Sequence, residues 1–544
     1  MYSWRLDLPS WKEEALRLRT LLKAAGLAMA AADRSPVAPF EEPGPARARG
    51  WIDELVFARL ARLGSELANP CSDAVFLRRA CLDVIGTLPT EAEASQFLAD
   101  RDPNRRGALI ERLLARDEFA DYWALKWGDL LRVKSEFPIN LWPNAVQAYA
   151  RWIRTAIRDN KPYDQFAREL LTASGSNFRV GPVNFYRAVQ NSVQSAAPGA
   201  AVGKDPRAIA AAVALTFMGA RFDQWPRERQ EGMAAFFAQV GYKGTDEWKE
   251  EIVYFDQQKQ SPAAAVFPDG RRARIGQDED PRQVFAAWLT ATGNPWFARA
   301  IVNRAWSWFM GRGIIQEPDD TRPDNPAVNP ELLAHLEAEL VHSGYDLRHV
   351  YRLILNSQTY QLSSIPRSAD RQAAAHFASM PLRRLQAEVL IDAIDQITGA
   401  TEQYASAVPE PYTFLPETQR SIALTDGSLG SLFLELFGRP GRDNGLESER
   451  NNGPTAEQRL HLLNSTHIQR KIQQSAKLRA LLQGAPRPRD AADRLYLTIL
   501  SRYPTEEELK TAAEYVQTAG NNRWPAAVDL AWALINSAEF LYRH

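Results

Sequence analysis

The segment from residues 294 to 364 constrains the fold most strongly, because helix periodicity and clear helix boundaries occur together in it. Phe297, Ile301 and Trp308 recur at the spacing of a helix with one buried face. An Asn-Pro pair at 294 and 295 precedes them, and Gly311 follows them with a conformation that readily ends helices. The segment therefore predicts an aromatic-rich helix, a glycine stop and two further helices.

An acidic loop follows that helix, with the sequence EPDDTRPDNP. Its acids Asp319, Asp320 and Asp324 and its base Arg322 lie between three prolines, which stiffen the backbone. Such a loop can present a pair of carboxylates to a substrate. The alternative is an Asp–Arg clamp that joins two helices, because structural ion pairs resemble functional ones in sequence.

Several motifs in a fixed order resemble those of one bacterial family. They are, in chain order, FLRRACLDVIGTLPTEAEASQFL, NKPYDQFARELLTASGSNF, NPWFARAIVNRAW, FMGRGII, SGYDLRHVYRLILNSQTYQLSS and FGRPGRDNGLESERNNGPTAEQRLHLLNSTHIQ. The chain resembles the family with paired planctomycete-type cytochrome and planctomycete-specific domains, over roughly residues 50 to 544. That family has no assigned biochemical function, so the resemblance implies an architecture and no activity.

Repeated helix-start signals predict an all-α chain built from packed helical hairpins in two halves. Thr90 with Glu93, and Thr505 with Glu508, have the spacing in which each side chain binds a free amide at a helix start. Residues 251 to 275 are the exception, because β-prone runs there flank an Asp-Gly turn and predict a small β-hairpin. The predicted units are an N-terminal helix and Pro-rich linker at 1–50, a helical domain at 51–245, a β-hairpin connector at 246–280 and a second helical domain at 281–544.

Composition predicts an ordinary soluble globular chain, with 45% hydrophobic and 24% charged residues. The net charge of -1 provides no general attraction for nucleic acid. The longest apolar run, at 208–220, is shorter than the roughly 20 residues of a membrane-spanning helix, so it predicts a buried core helix. The first residues lack the pattern of a signal peptide and favour a cytoplasmic location, whereas the resemblance implies frequent export.

Cofactor signals are missing from the positions where the resemblance implies them. Relatives commonly carry Cys-x-x-Cys-His after the segment that corresponds to ALTFMGARFD, but this chain has neither cysteine nor histidine between Phe217 and Phe237. Without thiols no c-type haem can be attached there. His335, His342 and His349 are spaced by about 10 Å along a helix, too far apart for a shared metal ion. The sequence therefore predicts no cofactor and no metal.

The most polar cluster of the sequence lies between residues 437 and 465. In its Gly-rich loop, arginines alternate with acids, so that Glu447 or Glu449 could act as acid or base while an arginine binds an anionic group. The alternative is a buried salt-bridge network that fixes the loop. The candidate catalytic residues are Glu447, Glu449, Asp319 and Asp320, and the candidate ligand-binding residues are Arg439, Arg442, Arg450, Arg322, His461 and Asn464.

Two functions of different class remain open from the sequence. The first is a haem-less binding or assembly protein that holds a partner protein or a polysaccharide. The second is an enzyme with a carboxylate and arginine site that acts on an anionic or complex carbohydrate. The sequence leaves the oligomeric state open. We expect the loops at 317–324 and 439–450 to face one cleft, because charges on both loops are costly to bury alone. In that arrangement Arg439, Arg442 and Arg450 meet Asp319, Asp320, Glu447 and Glu449. Tryptophans at helical spacing, such as Trp123 and Trp127, are expected in the core.

Overall fold

The computed structural model describes residues 39–190, 205–259, 265–368, 370–518 and 523–544, and within these ranges the chain is mostly helical. The helix expected in the first 33 residues lies outside the described residues. The first ten helices are α1 (Trp51–Arg62), α2 (Asp73–Val84), α3 (Glu91–Ala99), α4 (Arg105–Leu114), α5 (Asp117–Leu130), α6 (Pro143–Arg158), α7 (Tyr163–Thr172), α8 (Asn184–Gln190), α9 (Pro206–Met218) and α10 (Arg227–Ala234).

The helices of the second part follow a short sheet. They are α11 (Pro281–Leu289), α12 (Phe297–Met310), α13 (Pro330–His342), α14 (Leu347–Asn356), α15 (Arg371–Ala375), α16 (Ala387–Thr398), α17 (Leu432–Leu436), α18 (Ala456–Asn464), α19 (Thr466–Gln473), α20 (Ala476–Gln483), α21 (Pro488–Leu500), α22 (Glu506–Thr518), α23 (Arg523–Ile535) and α24 (Ala538–Leu541).

The boundaries of α12 agree with the signals in its sequence. The side chain of Asn294 accepts hydrogen bonds from the amides of Trp296 and Phe297, and Gly311 ends the helix in a left-handed conformation at φ +78°. The capping pairs at 90 and 93 and at 505 and 508 are also formed. Helix α9 is buried, as the apolar run at 208–220 predicts.

The small sheet differs from the predicted hairpin in its pairing. Strand β3 (Glu251–Phe255) lies between β1 (Gly175–Ser176) and β2 (Val240–Gly244), and both pairs are antiparallel. The Asp-Gly turn at 269 and 270 closes a single bridge between Val266 and Arg272. The hairpin is thus formed by β2 and β3, which pair over five residues, and Val253 of β3 is fully buried. A second sheet pairs β4 (Arg383–Arg384) with β5 (Tyr542–Arg543).

A continuous apolar core connects the helices from Ile52 to Phe540. At its centre the ring of Trp123 stacks on Tyr351 with centroids 4.4 Å apart and meets Trp308 edge-on at 5.2 Å. Trp123, Trp127, Trp306 and Trp308 are all buried, which confirms the expectation that they belong to the core. Among the described residues, no helix combines the length and the apolar character needed to cross a membrane.

Candidate functional site

The two charged loops meet at Asp319 and Glu447. The backbone amide of Glu447 donates a 2.7 Å hydrogen bond to Oδ2 of Asp319. The other oxygen of Asp319 accepts a 2.6 Å bond from Nη2 of Arg304, a residue of α12 with no exposed surface. A buried carboxylate in this position is therefore paired with one cation and one amide, as its burial requires.

Arg304 joins three parts of the chain. It donates to the carbonyl groups of Thr216 and Leu215 at the end of α9, at 2.9 and 3.3 Å, and to Asp319. Burial opposes its charge, but Asp319 and Glu447 more than compensate and raise the pKa of the guanidinium. Arg304 consequently fixes α9, α12 and the acidic loop relative to one another.

Glu447 lies in a partly aromatic environment. Nε1 of Trp308 donates to its Oε1 at 2.7 Å, and Nε of Arg304 lies 3.5 Å from the same oxygen. Burial raises the pKa of this carboxyl group, and the positive charges of Arg304 and Lys126 oppose that rise. The side chain keeps 28% of its surface exposed. A carboxyl group with a raised pKa beside a tryptophan has the environment of a general acid.

The three predicted arginines bind other partners. Arg442 is 1% exposed, and its Nε donates to Asp129 on α5 at 2.8 Å. Arg450 donates to Glu388 on α16 at 2.6 Å and to Asp129 at 2.7 Å. Arg439 lies 3.5 Å from Glu388 and binds backbone carbonyl groups. The prediction that they meet Asp319, Asp320, Glu447 and Glu449 is wrong. Their acidic partners are instead Asp129 and Glu388, which lie on two helices outside the loop.

Through their ion pairs with the arginines, Asp129 and Glu388 connect the 439–450 loop to helices α5 and α16. Glu388 has no exposed surface, and although burial disfavours its charge, Arg450 and Arg439 lower its pKa to about 2. Arg442 also donates to the carbonyl groups of Val133 and Thr425.

The remaining candidates are spread over the surface. Glu449 accepts hydrogen bonds from the amides of Asp443 and Asn444, so it shapes its own loop. Nε2 of His461 lies 3.3 Å from Nδ1 of His467, whose Nε2 lies 2.8 Å from Glu402. Asn464 is exposed at the end of α18. In the described part of the chain, no hydrogen bond joins His461 to Asp319 or Glu447.

Asp320 and Arg322 line a cavity of about 890 Å³ on the other side of the acidic loop. Oδ2 of Asp320 lies 3.1 Å from Nε of Arg322. Neither Asp319 nor Glu447 lines this cavity, because the backbone turns Asp319 inward and Asp320 outward. We call it the arginine cleft; its walls are residues 221–229, the start of α12, the 320–327 loop and the start of α13.

Four arginines and two aspartates line the arginine cleft. Arg299 pairs with Glu337, and Arg322 pairs with Asp320 and Asp324. Within the ranges that the structure describes, Arg221 and Arg229 make no ion pair, and Nε of Arg229 is buried without a hydrogen-bond partner. The cleft therefore has an excess of positive charge.

Two tryptophans flank the free guanidinium of Arg229. Its carbon atom Cζ lies 4.0 Å from the ring centroid of Trp225 and 5.7 Å from that of Trp296. Burial lowers the pKa of Arg229, and Asp269 partly opposes that effect. The arrangement exposes aromatic surface next to a cation that is incompletely bound.

The acidic loop is held against this cleft by a close backbone contact. The amide of Thr321 donates to the carbonyl group of Gly219 at 2.7 Å, and Gly219 has a left-handed φ of +58°. A Cβ at Gly219 would lie 2.9 Å from the carbonyl oxygen of Pro318, so glycine is required here. Thr321 is one of the residues that line the cleft, but its hydroxyl oxygen is buried and has no hydrogen-bond partner among the described residues.

Arg221, Trp225, Arg229 and Trp296 are site residues that the sequence motifs did not indicate. Three of them lie in RFDQWPRERQ, the segment that lacks the haem-binding cysteines. The signal available there was a group of three arginines around a tryptophan in a short loop.

No group of three or more His, Cys, Asp or Glu side chains suited to a metal ion occurs in the described part of the chain. Cys71 and Cys81 are buried free thiols, and burial raises the pKa of Cys81 to about 12. A thiol with this pKa is protonated and unreactive at neutral pH.

Two family models match the chain in sequence order. The model described as PSCyt2, protein of unknown function (DUF1549), matches residues 51–241, and the model described as PSD1, protein of unknown function (DUF1553), matches residues 281–516. No curated protein matches the chain, and no solved structure matches it.

Proposed function

We propose that this chain, which belongs to the paired PSCyt2 and PSD1 families of unknown function, binds an anionic carbohydrate in the arginine cleft. One observation carries the proposal. Arg221 and Arg229 line a cavity of about 890 Å³ without an ion pair among the described residues, and Trp225 and Trp296 lie beside Arg229.

The free arginines support an anionic ligand. A guanidinium group presents a planar fork of donors that matches a carboxylate or sulfate group. Because Arg221 and Arg229 have no carboxylate partner among the described residues, a bound anion would supply the opposite charge that the cleft lacks.

The tryptophans support a carbohydrate as the carrier of that anion. Their rings offer apolar faces with a polar edge, which suit the mixed apolar and hydroxyl surface of a sugar ring. Nucleic acid fits less well, because the chain has a net charge of -1 and the excess of positive charge is confined to one cavity.

In this proposal the inner acids and arginines position the cleft and do not touch the ligand. Asp319, through Arg304 and the amide of Glu447, fixes the loop that presents Asp320 and Thr321 to the cleft. Arg439, Arg442 and Arg450 hold the neighbouring loop on α5 and α16, where Arg442 is 1% exposed.

A second function, glycoside hydrolysis, is favoured by the environment of Glu447. Its raised pKa, its bond from Trp308 and its 28% exposure suit a general acid that protonates a glycosidic oxygen. Asp319 shares the guanidinium of Arg304 with Glu447, but it is 3% exposed and both of its oxygens accept hydrogen bonds, so it orients Glu447 and is not the second carboxylate. This function predicts that Glu447→Gln abolishes cleavage while binding in the arginine cleft is retained.

The test is calorimetric titration of the full chain with a carboxylated polymer (polygalacturonate), a sulfated polymer (dextran sulfate) and neutral dextran. We expect binding to at least one charged polymer, with weaker binding at higher ionic strength. The double variant Arg221→Gln, Arg229→Gln should bind at least tenfold more weakly. Arg101→Gln, which removes an exposed arginine outside the cleft, is the matched control.

Three results would overturn the proposal. They are equal binding of neutral dextran, unchanged affinity of the double variant, and binding of mononucleotides with no binding of either charged polymer.

A further inference from the structure

A second cavity, of about 540 Å³, lies between helices α21, α22 and α23. We call it the helical cavity. Its walls are mostly apolar, and they include Ala492 and Leu495 from α21, Leu509 from α22 and Leu530 from α23. It shares no lining residue with the arginine cleft. A cavity of this size with mostly apolar walls is typical of a site for a small apolar ligand.

Helix α22 turns its apolar face toward this cavity. Leu509, Ala512 and Val516 recur at steps of three and four, the spacing of one helix face, and all three line the cavity. Each of the three is only partly buried. The side chains of α22 that are buried in the described part of the chain are Glu508 and Tyr515. The apolar face of α22 is therefore incompletely covered.

Two polar contacts hold α22 in this position. The carboxylate of Glu508 accepts two hydrogen bonds of 2.8 Å from the guanidinium group of Arg502, in the segment before the helix. The hydroxyl group of Tyr515 donates to Asp529 on α23 at 2.5 Å. Because these contacts fix the helix near its start and near its end, its position does not require the apolar walls to close on each other.

The charged residues that line the cavity include one cation without an acidic partner. Arg489 pairs with Glu506 at 2.7 Å, and Arg487 pairs with Asp490 at 2.8 Å. Lys510, on α22, is exposed, lines the cavity and makes no ion pair within the ranges that the structure describes. The lining therefore favours a ligand with an apolar body and an anionic end.

The volume of the cavity favours a single flexible chain over a helix of a partner protein. An α-helix with its side chains is about 10 Å across and rises about 5.4 Å per turn, so that one turn fills about 400 Å³. The cavity thus holds little more than one turn. Helices that bind in grooves use anchors spread over two or more turns. A chain of methylene groups has no such minimum length.

We propose that the helical cavity binds a single acyl chain with an anionic head group, such as that of a fatty acid. The acyl chain lies between Leu495, Ala512 and Leu530, and the head group lies at Lys510. Binding covers the apolar face of α22, and each methylene group that leaves water adds to the affinity.

Titration of the full chain with saturated fatty acids of about 8 to 14 carbons, below their critical micelle concentrations, tests the proposal. Affinity should rise roughly tenfold for each two carbons added, because two more methylene groups then leave water. Dodecanol and dodecyltrimethylammonium, which have the same chain length, should bind about threefold to fivefold more weakly than dodecanoate, since an exposed ion pair contributes little. Lys510→Gln should remove the difference between dodecanoate and dodecanol.

A variant that fills the cavity tests the position of the site. Ala512→Trp should lower the affinity for dodecanoate at least tenfold. Glu514→Trp, which adds the same ring to an exposed position of α22 outside the cavity, is the matched control and should leave the affinity unchanged. Ala527→Phe fills the cavity from α23 and replaces Ala512→Trp if melting curves show that the latter does not fold.

Four results would overturn the proposal. They are an affinity that does not depend on chain length, unchanged binding by a folded cavity-filling variant, an equal loss of affinity in Glu514→Trp, and tighter binding of dodecyltrimethylammonium than of dodecanoate. Binding of charged polymers should be the same in Ala512→Trp and in the wild type, because the helical cavity and the arginine cleft are separate.

Discussion

The backbone amide of Glu447 donates a 2.7 Å hydrogen bond to Asp319, although 128 residues separate the two along the chain. Because Arg304 lies against both residues, one guanidinium group holds the two loops together. The two acids differ in exposure, since Asp319 is 3% exposed whereas the side chain of Glu447 is 28% exposed. Their substitutions should therefore have different effects.

Glu447→Gln should change the free energy of unfolding by no more than about 1 kcal/mol at neutral pH. Glutamine keeps an oxygen that accepts from Trp308, and Arg304 keeps Asp319. Because burial raises the pKa of Glu447, its contribution to stability is present below pH 4.5 and is lost as the pH rises. The free energy of unfolding of the variant should not fall in this way, which urea unfolding at pH 4 and pH 7 measures. If the variant is instead less stable than the wild type by about 3 to 5 kcal/mol, Glu447 is part of a structural clamp.

Glu388→Gln should lower the free energy of unfolding by about 3 to 5 kcal/mol at pH 7, because it leaves Arg450 and Arg439 incompletely paired in the interior. The lowered pKa of about 2 means that the stabilising contribution of Glu388 is present above pH 4.5 and is lost as the pH falls toward 2. The difference between variant and wild type should therefore shrink in acid. Glu111→Gln, in the exposed pair with Arg352, is the control and should cost less than about 1 kcal/mol.

Asp392→Asn should show the opposite dependence on pH. Asp392 lies one helical turn after Glu388 on α16, and burial raises its pKa to about 6 despite bonds from the amides of Ser421 and Ile422. Its stabilising contribution is present below pH 3.8 and is lost as the pH rises through 6. Between these two pH values, the free energy of unfolding of the variant should rise by about 3 kcal/mol relative to that of the wild type. Chemical denaturation across pH 4 to 7 measures the gain, and a constant difference would contradict it.

Arg229→Met should separate binding from stability. Its guanidinium makes no ion pair in the described part of the chain, so its removal should change the free energy of unfolding by no more than about 1 kcal/mol, mostly through the lost contact with Trp225. Affinity for a charged polymer should fall at least tenfold.

Arg442→Met is the matched comparison for that experiment. It removes a buried arginine that binds Asp129, so it should cost about 3 to 5 kcal/mol and leave the affinity of the folded protein unchanged. If both variants lose stability equally, Arg229 is structural and not a ligand-binding residue.

Local signals were enough to predict much of the secondary structure. The start and end of α12, the capping pair at Thr505 and Glu508 and the burial of α9 follow from residues within a few positions of each other. The tryptophans of α5 and α12 were likewise expected in the core from their spacing. These features can be predicted because helix caps and apolar periodicity depend on residues within one or two helical turns of each other.

The partners of the charged residues could not be predicted from local sequence in this way. The 439–450 loop carries both arginines and acids, and nothing in the local sequence favours Asp129 and Glu388, from two distant helices, over Asp319 as their partners. Tertiary packing, and not local sequence, also decides two other features. They are the pairing of β3 with the strand before it and the contact between Arg229 and Trp296.

By itself the sequence determined a mostly helical protein, the family it resembles and several helix boundaries. Only the tertiary structure decided that Arg442 is buried against Asp129 while Arg221 and Arg229 line an open cleft. The physical reason is that an arginine has the same local sequence signature in both situations. Whether it stabilises the fold or remains free for a ligand depends on which acid the packing of distant helices brings within about 3 Å of it.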